Sequence, residues 1–254
     1  MSRSNQIPMS TAYLQDGYAQ FNAFLDEPST KELDQRLQHF INTTVPKLPT
    51  DQVFYENKND PLTLKQIQHL ELHDSWFHEL FTESPFRQLA EMLLGGECVP
   101  MNLQYFNKYP GANQQTPPHQ DGYYFMITPC EAVTMWLALD DVDHENGCIR
   151  YLPGSHRDGL LPHARTTTLG FSQGITKYFQ QHDPNREIPI HASPGDLLVH
   201  HALTIHRADA NTSKTRHRRA IGFIYYSAKA KQDVVAHKAY QEQLRQDLSE
   251  SDRI

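Results

Sequence analysis

After Gly95-Gly96 the chain changes its rhythm. Residues 98–228 fall into short segments rich in Val, Ile, Tyr, Phe and Trp: CVPMNLQYFNKY, AVTMWLALDDV, CIRYLP, REIPIHA, DLLVHHALTIHRA and RRAIGFIYYS. Each is bounded by Gly, Pro, Asn or Asp, and Pro153-Gly154-Ser155 and Gly195-Asp196 are clear turn signals. A succession of brief strands of this kind folds as an antiparallel sandwich or barrel.

Ahead of this region the period is helical. Ser29 with Glu32 three residues on forms a capping box, and Leu33, Leu37, Phe40 and Ile41 follow at helical spacing. The pattern predicts a helix over 29–44, with further helical segments over 63–71 and 84–94, the last stopped by Gly95-Gly96. Tyr18, Phe21 and Phe24 suit a first strand or turn, Pro46 to Pro61 a loop, and residues 1–12 a loose tail. One domain is expected: an N-terminal helical part at about 13–96, a β core at about 97–228 and a C-terminal helical tail at about 229–254. The fold class is mainly β with flanking helices.

Composition narrows the function. The 254 residues carry 38% hydrophobic side chains and a formal charge of −7. A folded domain is expected, and a general nucleic-acid binder is disfavoured, since its footprint would be basic. A local basic pocket for an acidic substrate stays open. Cys98, Cys130 and Cys148 are odd in number and far apart, so neither a disulfide framework nor a cysteine zinc site is indicated. No signal peptide and no apolar run of membrane-spanning length is visible, so a cytoplasmic protein without a membrane partner is expected. Nothing in the sequence sets the oligomeric state.

Fifteen histidines are present, and a few stand in a suggestive pattern. In Pro118-His119-Gln120-Asp121 an extended chain would turn His119 and Asp121 to one face. A third ligand must come from elsewhere; His200, His201 and His206 arrive together downstream. Two histidines and one carboxylate on one face of an ion leave adjacent positions open, as suits iron(II) binding a chelating cosubstrate and dioxygen. His200 and His201 are neighbours, so on a strand at most one points inward.

The order of PHQD, NGCIRYLPGSH, GDLLVHHALTIHRADANTS and RRA resembles the phytanoyl-CoA dioxygenase family of iron(II)/2-oxoglutarate oxygenases. The likeness runs over roughly residues 100–226 and is looser before that. It implies a double-stranded β-helix (jelly-roll) barrel holding Fe(2+), with 2-oxoglutarate as cosubstrate and O2 as oxidant. The family places its distal histidine five residues before an asparagine, which selects His206 with Asn211, ahead of His201. It also takes a cosubstrate arginine about eleven residues beyond that histidine, an offset that here lands on His217. A one-residue insertion restores the alignment at Arg218. Arg218 shares a strand face with Ala220 and Gly222, which leave room for a ligand, whereas Arg219 shares one with Ile221 and Phe223. Arg218 is therefore preferred over Arg219 and Arg216. Trp136 matches a family tryptophan position and Gln104 a contact position on an earlier strand. Ala208 stands where relatives often have serine.

The implied reaction is oxidative decarboxylation of 2-oxoglutarate to succinate and CO2, coupled to hydroxylation of a small organic molecule. Asp121 favours hydroxylation over halogenation, because halogenating relatives replace this carboxylate with a small residue. Desaturation remains open. The alternative is a zinc-dependent hydrolase or a non-catalytic metal-binding module. Tyr123 and Phe125, sharing one face if the chain stays extended, and Arg157 are the candidate substrate residues. The long polar stretch from about 158 to 187 suits a lid.

Overall fold

Three strands at the centre of the fold are buried on both faces, and this decides where a cavity can form. The computed structural model describes residues 11–168 and 171–250. The expected loose tail therefore lies outside the described residues up to position 10, as do 251–254 and two residues of the expected lid.

A seven-stranded antiparallel sheet runs in the spatial order β1 (Tyr18–Phe21), β12 (Leu197–His201), β7 (Ala132–Ala138), β14 (Arg218–Ser227), β4 (Cys98–Lys108), β3 (Leu64–Ile67) and β2 (Val53–Tyr55). A four-stranded antiparallel sheet runs β11 (Ile188–Ile190), β8 (Ile149–Tyr151), β13 (His206–Ala208) and β5 (Thr116–His119). The architecture is mainly β with flanking helices, as expected.

Side-chain alternation separates two cores. Val133, Met135 and Leu137 of β7, Leu197 and Val199 of β12, and Ile221, Phe223 and Tyr225 of β14 point outward into a helix-covered core. Trp136, Ala138, Leu198 and Ala220 point the other way, into the space between the sheets. The two-residue period of a strand makes this division. It also explains why β7 reads as a nearly continuous apolar run, with Thr134 its polar member.

Helices cover the outward face. Residues 11–16 are helical (α1); α2 (Glu27–Thr43), α3 (Ser75–Thr82) and α4 (Pro85–Leu94) follow. The helix expected at 29–44 starts two residues earlier. Its cap is Asp26, whose Oδ1 accepts the Ser29 amide at 2.9 Å. Pro28 suits the first turn, where no amide is needed. Helix α4 begins under a Ser84 cap and ends at Gly95 in the left-handed region, φ 67°, near the expected bounds. Phe86 of α4 stacks on Phe223 of β14 with ring centroids 4.0 Å apart.

Two expectations for the N-terminal part fail. The helix expected at 63–71 is instead strand β3 followed by a 3₁₀ turn at Leu70–Leu72. The loop expected before Pro61 contains β2. Both strands extend the edge of the large sheet: β3 pairs with β4 and β2 with β3, and at β3 this pairing outweighs local helix propensity.

The stretch expected as a polar lid is a hairpin of β9 (His163–Thr168) and β10 (Phe171–Ile175), then the short helix α6 (Tyr178–Gln181). Near the C-terminus, β15 (Lys231–Gln232) pairs with β6 (Ile127–Thr128), and α7 (Val234–Glu250) follows.

Candidate metal centre and its cavity

His119 is the last residue of β5, and Asp121 opens a one-turn helix, α5 (Asp121–Phe125). The extended chain expected through this motif thus ends one residue early. Gly122 is the reason: its amide donates to Ala202 O at 2.8 Å, and a Cβ there would lie 2.4 Å from Cys130 Sγ. Only glycine permits so close an approach.

The two side chains converge nonetheless. Asp121 Oδ1 lies 3.4 Å from His119 Nε2 and 3.6 Å from His206 Nε2. Register makes the meeting possible, because β13 pairs with β5 and sets His206 opposite His119. Donors about 2.1 Å from a shared ion at right angles stand about 3 Å apart, so an ion would draw these three inward only slightly.

Hydrogen bonds fix the tautomers. His119 Nδ1 donates to Pro117 O at 2.8 Å, and His206 Nδ1 donates to Thr204 O at 3.0 Å. Each ring therefore turns a bare Nε2 toward the carboxylate. Burial, with His119 and His200 nearby, keeps His206 well below the ordinary imidazole range, so it is neutral and able to ligate. Burial alone would raise the Asp121 carboxyl. The imidazoles of His206, His119 and His200 around it, the last donating a hydrogen bond to Oδ2, instead hold it well below the usual carboxylate range.

Three further residues complete the centre: His200, weighed above among the downstream histidines, and Thr134 and Gln120, which the sequence did not single out. His200 is buried and points inward; its Nε2 donates to Asp121 Oδ2 at 3.0 Å, and its Nδ1 accepts from the Tyr151 hydroxyl at 3.0 Å. Thr134 donates to the same Oδ2 at 2.6 Å. Gln120, between the two ligand candidates, bonds Gly159 O, Leu203 O and the Leu161 amide, tying this turn to its neighbours. Alternation along β12 carried the signal for His200, since it shares a face with inward Leu198. His201 faces away, beside Tyr13 and His156.

A cavity of about 300 Å³ adjoins the three residues. Its inner wall follows from strand register. Arg218 pairs with Lys108, Gly222 lies between Gln104 and Trp136, and Ile224 lies between Asn102 and Thr134. Arg218 is 5% exposed, and its guanidinium stands 5.2 Å from the Trp136 ring centroid. Its Nε has no hydrogen-bond partner among the described residues. Burial lowers its pKa to about 10. Arg219, on the opposite face, is engaged by Asp140 and Asp34, and Arg216 by Asp143 and Glu145. A buried planar cation with no carboxylate beside it among the described residues has the geometry to pair with an external anion. Lys108 Nζ, also buried, donates to Asp209 O at 2.5 Å and to Gln114 O at 3.2 Å.

Gln104 lines the cavity, its Oε1 accepting from Gln66 Nε2 at 2.8 Å. Of the expected substrate residues, Phe125 is in the wall and Tyr123 is not; Tyr123 stacks on His163. The helical turn of α5 brings Tyr124 to the cavity in its place. Arg157 also lies away from it, donating to Gln15 O. The C-terminal segment does contribute, through Gln232 and His237.

Residues 13–220 match the family described as Phytanoyl-CoA dioxygenase (PhyH). A phytanoyl-CoA dioxygenase of Arabidopsis thaliana is 29% identical over 238 residues, covering 79% of this chain and 82% of that protein. Phytanoyl-CoA dioxygenase domain-containing protein 1 of Danio rerio is 34% identical over 156 residues, covering 59% of this chain and 53% of that protein. Among solved structures, the epimerase SnoN in complex with Fe3+, alpha ketoglutarate and nogalamycin RO superposes with a TM-score of 0.70 at 24% identity. The match covers 91% of this chain and 87% of that one. EvdO2 from Micromonospora carbonacea var. aurantiaca, complexed with 2-oxoglutarate, gives 0.69 at 23% identity, covering 89% and 92%. At these identities the structural likeness establishes a common fold.

Proposed function

The chain belongs to the phytanoyl-CoA dioxygenase family, and from that premise we propose that His119, Asp121 and His206 hold the iron and that Arg218 anchors the cosubstrate. The protein is an iron(II)- and 2-oxoglutarate-dependent oxygenase acting on a small molecule. We propose hydroxylation as the outcome.

The observation that carries the assignment is Arg218, a buried cation with no carboxylate partner among the described residues, opening into the cavity that His119, Asp121 and His206 border. A dicarboxylate fits this layout, with one end chelating the ion and the other meeting the guanidinium fork. A zinc hydrolase or a passive metal-binding module would leave the buried arginine without a purpose.

When bound, iron supplies oxidative decarboxylation of 2-oxoglutarate, releasing succinate and CO2 as O2 is consumed. The chain's own residues do the rest. His119 and His206 offer lone pairs fixed by Pro117 O and Thr204 O. His200 and Thr134 occupy Asp121 Oδ2 and leave Oδ1 for the ion. Trp136 forms an apolar wall beside Arg218, keeping water from the anion site. Tyr124, Phe125, Ile224 and Tyr226 line the part of the cavity proposed for substrate. Of the residues weighed for substrate contact, only Phe125 keeps that proposal.

No helix among the described residues is long and apolar enough to cross a membrane. With three free cysteines, we place the enzyme in a reducing compartment, the cytoplasm, acting without nucleic acid.

Succinate release from 2-oxoglutarate, assayed with iron(II), ascorbate and air, tests the assignment. Iron-dependent turnover, coupled or uncoupled, is expected, together with its loss in His206→Ala. Absence of turnover across a broad panel of small molecules, or an unaltered rate in His206→Ala, would overturn it.

A further inference from the structure

The geometry points to a second metal site, outside the cavity, in which His144, Cys148 and His191 bind one thiophilic divalent cation of the zinc type. One ligand atom from each of the three lies within 4.8 Å of the other two. Cys148 Sγ stands 3.8 Å from His144 Nδ1. Sulfur and nitrogen donors on a tetrahedral zinc ion are separated by about 3.6 Å, so the spacing nearly matches. The His144 and His191 rings stand edge to face, with centroids 4.6 Å apart.

No local motif announces these residues. His144 and Cys148 sit in the turn between β7 and β8, and His191 follows β11. Pairing of Ile190 with Ile149 brings His191 beside Cys148. Cysteine spacing gives no hint, because both partners of the thiol are histidines.

Arg150 Nη2 donates to His144 Nδ1 at 3.3 Å, a bond the cation would replace. Arg150 would keep its anchor, since its Nε donates to Asp209 at 2.7 Å. Asp209 Oδ2 is 3.9 Å from Cys148 Sγ, but its carboxylate also serves Arg207, so water is the simpler fourth ligand. An ordinary cysteine thiol is protonated near neutral pH. Ion binding therefore forms the metal–sulfur bond and releases one proton to solvent, with no redox change.

The site would stiffen the approach to Arg218. Asp143 and Glu145 of the same turn hold Arg216, and Asn146 Nδ2 donates to His217 O at 3.1 Å. A cation clamping Cys148 to His191 would thus fasten β11 to the turn that braces the start of β14.

The test is cobalt(II) titration of the full-length His119→Ala/His206→Ala protein, whose proposed iron site is removed. Expected is a thiolate-to-cobalt charge-transfer band that saturates at one equivalent, releases one proton and is bleached by zinc. Cys148→Ser should abolish the band, and Cys98→Ser and Cys130→Ser should keep it. His191→Ala, an exposed change that spares the core, should weaken affinity about 100-fold or more. Absence of the band, its survival in Cys148→Ser, or unchanged affinity in His191→Ala would overturn the site.

Discussion

Nε2 of His200 lies 3.0 Å from Oδ2 of Asp121, and the Tyr151 hydroxyl fixes the other ring nitrogen. One carboxylate oxygen is thereby committed to the protein while the other faces His119 and His206. His200→Leu should keep the three proposed ligands but loosen the carboxylate, lowering iron(II) affinity about 10- to 100-fold. His201→Ala, on the opposite face of β12, should leave affinity unchanged. Iron titration of the two variants under anaerobic conditions checks both.

Arg218, buried beside the cavity, is the proposed cosubstrate anchor. Arg218→Met should weaken 2-oxoglutarate binding about 30- to 1,000-fold, the range for removing one member of a buried charge pair. Its stability without ligand should be equal or higher, because an uncompensated buried charge has gone. Arg218→Lys should recover only part of the affinity, since a point charge lacks the bidentate fork. Thermal melts with and without 2-oxoglutarate separate the two effects: the shift on ligand addition should shrink while the ligand-free Tm holds.

Acid should destabilise the protein partly through His201. Burial, with His156 and His200 nearby, lowers its pKa to about 4, and its Nδ1 accepts the Leu203 amide. The unfolded chain takes up a proton below about 6.5, the native protein only near 4. Stability is therefore full above pH 6.5 and falls as pH drops toward 4, by up to about 1.4 kcal/mol per pH unit from this group. His201→Asn keeps an acceptor without a titrating ring. Urea unfolding of the metal-free proteins between pH 7 and 4.5 should show a shallower decline in the variant.

The helix layer should be stability-critical. Phe86 is 1% exposed and stacked on Phe223. Phe86→Ala should cost about 3–5 kcal/mol, read by equilibrium denaturation. Phe223 backs the strand that carries Arg218, so 2-oxoglutarate affinity should fall along with stability.

Much of the framework was legible because strand period is a local property. Alternation in RRAIGF separates Arg218 from Arg219, and the structure finds them on opposite faces, one buried with no carboxylate partner among the described residues, the other held by Asp140 and Asp34. Helix α4 was legible for the same kind of reason, with apolar spacing closed by glycine. The 63–71 segment was not, because its backbone is recruited by the edge of a sheet whose other strands lie far away in the chain.

Local sequence thus determined the strand-rich core, the His119 and Asp121 pair and the family to which the chain belongs. Tertiary structure decided what surrounds that pair. Packing of Gly122 against Ala202 and Cys130 bends the chain after Gln120, which exchanges Tyr123 for Tyr124 in the cavity wall. Register between β13 and β5 brings His206 to His119, and inward-facing His200 reaches Asp121 from β12. The pairing of β11 with β8 sets His191 beside Cys148. These meetings depend on cross-strand register over tens of residues, and no short-range period in the chain encodes it.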